Sequence, residues 1–120
     1  MYDASNLDVE TSVLPIPKGY KLLIYVPELK KKTAGGILIP EASLDREKTA
    51  SIVGLVLAKG PDAYGDLDKF KSGPWVEEGD WAMFHSYSGT RFRVAGKEYR
   101  LINDDTIEAI VPKPEVVERA

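Results

Sequence analysis

The stretch Ser51-Ile52-Val53-Gly54-Leu55-Val56-Leu57-Ala58-Lys59 constrains this chain more than any other. It is apolar at odd and even positions alike, and Gly60-Pro61 stops it. A short run of this kind, bounded by breakers, predicts a central β-strand buried on both faces. Gly54 inside it predicts a bulge or a close approach of two backbones. No window sustains a helical period, so the remaining elements are expected to be strands as well.

Residues 20–26 read as the first of these, because β-branched and aromatic side chains alternate there. Tyr20, Leu22, Ile24 and Val26 share one face. Leu23 and Tyr25 lie with Lys21 on the other, which is expected to be half covered. Pro27 ends the run. Further on, Glu78-Gly79-Asp80 is a tight turn into a strand over Trp81–His85. Arg91–Val94 and Lys97–Ile102 alternate around Ala95-Gly96, as in a β-hairpin. Asp105 is placed to cap a single helical turn, and Ile107–Val111 is a last short strand. Pro112 and Pro114 then end regular order, leaving Glu115–Ala120 exposed. The fold class is all-β, a small, partly open barrel of short strands.

Two long connections interrupt that pattern. Residues 28–49 carry Lys30-Lys31-Lys32 at one end and Asp45-Arg46-Glu47-Lys48 at the other. Residues 61–78 have the Gly, Pro and Asp content of turns, with Tyr64, Phe70 and Trp75 available to pin them to the body. Connections this long inside a small domain tend to be functional. The division that follows is an arm over 1–13, one domain over 14–111 and a tail over 112–120. With 120 residues, a second domain has no room.

Several kinds of chemistry are excluded or poorly supported. There is no cysteine, so disulfides, thiolate metal sites and cysteine nucleophiles are absent. The single histidine, His85, is read as an ordinary strand-end residue rather than a base. Asp66, Asp68, Asp104 and Asp105 suit turns and caps better than a calcium loop, which needs a longer ligand ladder. Gly35-Gly36 lacks the Lys-Ser/Thr of a phosphate loop. No metal, cofactor or catalytic residue is expected. A formal charge of −3 without a basic stripe argues against nucleic acid. No apolar run is long enough to span a membrane as a helix. Residues 1–10 resemble no signal peptide, so a cytoplasmic location is the simplest expectation.

The unusual feature is Ile37-Leu38-Ile39, three large aliphatic residues between Gly35-Gly36 and Pro40 in a charged setting. The residues alone leave two readings open. The triplet is either a short edge strand returning to the core or an exposed hydrophobic anchor for a partner.

Gly35-Gly36-Ile37-Leu38-Ile39 resembles the mobile-loop motif of the GroES family of co-chaperonins. Other segments follow in that family's order. Residues 20–26 match its first barrel strand, and 53–60 resemble the strand that returns from the mobile loop. Glu78-Gly79-Asp80-Trp81-Ala82-Met83-Phe84 looks like its Val-Gly-Asp strand opening, and 99–111 resembles its closing segment. The likeness covers roughly residues 14–111. The arm and the tail depart from it. Residues 61–78 occupy the place of the family's roof hairpin, with a composition closer to phage-encoded members.

The resemblance implies a GroES-like barrel with a mobile loop at about 28–49 and a roof-region loop at about 61–78. It implies a homo-oligomer, a heptameric ring with neighbours paired through terminal strands. That ring would cap an ATP-driven chaperonin and enclose a folding client, with ATP bound by the partner. Gly35, Gly36, Ile37, Leu38 and Ile39 would make the chaperonin contact, in the cytoplasm, or in a host's cytoplasm for a phage-encoded member. Two other readings compete. A relative of the alcohol dehydrogenase barrel lacks its metal ligands and nucleotide half here. A non-enzymatic β-barrel subunit of a viral particle or other shell would oligomerise but need no mobile loop.

Overall fold

A computed structural model describes residues 11–27 and 52–117. Their framework is six antiparallel strands: β1 (Lys21–Val26), β2 (Val53–Lys59), β3 (Trp81–Phe84), β4 (Thr90–Val94), β5 (Lys97–Asn103) and β6 (Ile107–Ile110). They form one sheet in the order β4-β5-β1-β2-β3-β6. The sheet is open, with β4 and β6 at its edges. The partly open all-β architecture read from the sequence is therefore present, as an unclosed sheet.

The central strands are buried on both faces, and each face has its own cluster. Leu22, Ile24 and Val26 point into the main core with Val56, Phe84 and Ile102. Leu23 and Tyr25 point the other way, against Leu14, Leu55 and Tyr99. Both β1 faces are thus covered, more fully than the expected half-cover. Each large apolar side chain so buried contributes about 1.5–3 kcal/mol. Tyr20 falls outside the pattern and is half exposed, because the strand begins one residue later.

Gly54 is a close approach. A Cβ there would run into Ile24 Cγ2 and come within 2.9 Å of the Tyr25 carbonyl and 3.2 Å of Phe84. A bulge occurs too, farther along the strand. Leu23 pairs with Ala58 and Ile24 with Val56, which leaves Leu57 unpaired. The extra residue puts the consecutive residues Leu57 and Ala58 against the same cluster, which plain alternation would not do. The β4–β5 hairpin turns on Ala95 and Gly96, at φ 53° and 79°. Two positive φ values make the two-residue turn that suits the twist of paired strands.

Residues 61–78 contain turns and no strand. Tyr64, Phe70 and Val76 from this segment are buried in the main core. Asp104–Thr106 forms the expected single 3-10 turn. Asp105 does not cap it: Asn103 occupies the cap position, and no side chain bonds there. Past β6 the chain stays on the body longer than its prolines suggest. Pro114 is buried in a 3-10 turn (Pro114–Val116), and Val117 packs near Val53 and Val111.

Candidate functional site

Gly35, Gly36, Ile37, Leu38 and Ile39 lie outside the described residues, as do Lys30-Lys31-Lys32 and the charged run before Thr49. The frame that holds their segment is described in full. The chain leaves it at Pro27, which is fully buried after β1, and returns at Ile52, just before β2. Tyr25 pairs with Leu55, so exit and return lie at the same end of one strand pair.

That end is held tightly. Val53 is fully buried, and the Ile52 carbonyl accepts a bond from the Phe84 N–H at 2.9 Å. Gly54 lets β1 and β2 close together directly beneath. Both stems are thus fixed by a rigid central sheet. Stems fixed in this way leave the fold independent of what the intervening residues do.

The other residues singled out in the sequence have structural roles. His85 is exposed, and its Nδ1 accepts a long 3.4 Å bond from the Tyr87 N–H. Asp66 Oδ1 accepts from the backbone N–H groups of Asp68 and Lys69, as a turn residue does. Asp104 is buried and accepts from the Tyr64 N–H at 2.9 Å. Asp105 pairs with Lys69. That hydrogen bond raises the Lys69 pKa, against a smaller opposing effect of desolvation. Burial, reinforced by the charges of Asp104, Asp105 and Glu77, pushes the Tyr64 phenol well above its ordinary range.

These groups surround a cavity of about 510 Å³ lined by Tyr20, Asp62, Asp66, Lys69, Asp104 and Asp105 among others. Among the described residues, no group of three or more acidic, histidine or cysteine side chains is arranged to hold a metal. The cavity is the seam where residues 61–78 are clasped to the end of β5.

One residue escaped the sequence reading. Arg100 is fully buried on the core side of β5, over the Phe84 ring at 5.2 Å. Its Nη1 donates to the Ser86 carbonyl at 2.6 Å and so fixes the loop that follows β3. The alternation of 97–102 does put Arg100 on the same face as buried Ile102. That phase was the signal for its burial.

Comparison with known proteins places this frame in a family. The model of the family described as "Chaperonin 10 Kd subunit" matches residues 16–111. Among curated relatives, a protein named "Co-chaperonin GroES" from Rubrobacter xylanophilus is 32% identical over 95 residues. That alignment covers 79% of this chain and 93% of the relative.

Proposed function

The chain belongs to the 10 kDa chaperonin family of GroES-type co-chaperonins and is not an enzyme, and on that premise we propose that it caps an ATP-driven chaperonin ring through Ile37-Leu38-Ile39. The family match carries this reading. It runs through the whole frame on either side of the motif Gly35-Gly36-Ile37-Leu38-Ile39. In this reading seven copies form a ring in the cytoplasm, neighbours pair through terminal strands, and a client folds in the enclosed space. The partner, not this chain, binds and hydrolyses ATP.

The energetics of the motif suit a reversible cap. Three aliphatic side chains buried in a partner groove yield roughly 5–9 kcal/mol gross. Ordering the backbone costs about 1–2 kcal/mol per residue, which offsets most of that gain. A single segment therefore binds weakly. A ring that presents several at once binds strongly through effective concentration, and it releases when the partner changes shape.

The test is to add the protein to a chaperonin with ATP and measure complex formation and ATPase rate. A defined complex and a changed rate are expected. Leu38→Asp should fold normally and lose capping. Capping that survives Leu38→Asp would make Leu38 a core residue and sink the loop reading.

A further inference from the structure

The surface least accounted for lies along β4. This strand ends the sheet opposite β6, so one side of its backbone has no strand partner among the described residues. Its two faces differ in chemistry. Arg91 and Arg93 share one face, and both are exposed. Across the hairpin, Arg91 lies opposite Arg100 and Arg93 opposite Glu98. That face thus holds three guanidinium groups and one carboxylate, and Glu98 lies 3.7 Å from buried Arg100. Arg91 also stands over the Tyr87 ring, 5.9 Å from its centroid. On the other face are Phe92 and Val94, packed against the cluster of Leu14, Leu23, Tyr25 and Tyr99. Phe92 stacks on Tyr99 with ring centroids 5.8 Å apart. Neither Phe92 nor Val94 is fully covered. An open edge with a cationic face and a half-covered apolar face fits an added strand that alternates acidic and aliphatic residues.

Residues 7–10 have that pattern. They read Leu7-Asp8-Val9-Glu10, so an extended backbone puts Asp8 and Glu10 on one face and Leu7 and Val9 on the other. Residues 1–10 contain three acidic side chains and no basic one. The described chain begins close by. Thr11–Val13 is a 3-10 turn, and Leu14, next after it, is buried in the cluster that Phe92 and Val94 border. A strand outside β4 would lie two spacings, about 10 Å, from β5. The turn, at about 2 Å per residue, and the extended residues on either side of it, at about 3.3 Å, cover that distance.

We infer that residues 7–10 add to the open edge of β4 in their own chain as a further strand. In this arrangement Asp8 and Glu10 meet Arg91 and Arg93, while Leu7 and Val9 extend the apolar cluster past Phe92 and Val94. The added strand also covers an edge that would otherwise invite pairing with other chains.

The test is amide hydrogen exchange on the full chain, read by mass spectrometry on peptides covering residues 5–11 and 89–95. Amides in both peptides are expected to exchange about tenfold or more slowly than in variants that lose the contact. Arg91→Glu with Arg93→Glu is one such variant, and Asp8→Lys with Glu10→Lys is the other. Each sets like charges face to face and should release the strand while β1, β2 and β5 stay protected. All four changes together bring opposite charges back and should restore the protection. A wild-type chain with no protection at residues 7–10 overturns the proposal, as does protection that both charge variants keep. Failure of the fourfold variant to restore it overturns the pairing of the two acids with the two arginines. Protection that grows over about a hundredfold range of protein concentration assigns the strand to a neighbouring copy and overturns the own-chain placement. Should the arginine variant fail to fold, the Asp8→Lys, Glu10→Lys variant, which alters no residue of the sheet, decides alone.

Discussion

Two residues show how little freedom the core has. Gly54 lies where β2 passes close against β1, and an added methyl would meet Ile24, the Tyr25 carbonyl and Phe84. Gly54→Ala is expected to cost about 2–3 kcal/mol in urea unfolding, as overpacking does. Tyr64 is the opposite case, a buried hydroxyl with no hydrogen-bond partner among the described residues. Tyr64→Phe should gain about 1 kcal/mol at neutral pH, since no bond is lost and an orphan group is removed. The same residue is expected to contribute to an alkaline limit. Its folded pKa is raised above the unfolded value of about 10. The stability this contributes is full below about pH 10 and is lost as pH rises toward the folded pKa. Tyr64→Phe should therefore flatten the alkaline limb of a stability–pH profile. An unchanged limb would assign it to other groups, such as Tyr99, whose pKa burial also raises.

At the scale of elements, residues 61–78 behave as part of the core rather than as a projection. Tyr64, Phe70 and Val76 point inward. The backbone is stitched down by Gly60 N–H to the Lys21 carbonyl and Asp62 N–H to the Gly19 carbonyl, both at 2.8 Å. Asp104 closes the clasp from the other side through the Tyr64 N–H. Asp104→Ala should cost about 1–3 kcal/mol, because it orphans a buried donor. Amide exchange should rise across residues 62–72 and not in β1. Equal protection in both would show that the clasp holds nothing. The strands themselves were legible in the sequence because alternation and breakers are local: Pro27, Gly60-Pro61 and Ala95-Gly96 mark ends that the structure keeps. The packing of 61–78 was only half legible. Its aromatic residues signalled pinning, but the clasp pairs residues 40 positions apart. Arg100 was passed over and Pro114 misled for a related reason. Each is charged or breaks structure by type, and only tertiary neighbours make burial tolerable. The candidate site was visible only as composition around Ile37-Leu38-Ile39. Its meaning came from the order of the flanking strands.

For the whole molecule, a small domain with an open sheet leaves stability on the table that assembly can supply. If copies associate as proposed, association stabilises the folded state by mass action. The thermal midpoint should then rise with protein concentration over a hundredfold range, measured by calorimetry. A midpoint independent of concentration would mean that the domain stands alone. The paired stems at Pro27 and Ile52 carry a consequence of another kind. Because the sheet already holds those two points together, the fold is indifferent to what is written between them. Doubling the length of such a loop costs only about 0.6 kcal/mol in closure entropy. The segment can therefore be rewritten, residue by residue or wholesale, while the domain beneath keeps its shape. If that segment carries the chaperonin contact as proposed, partner choice and foldedness are free to evolve separately.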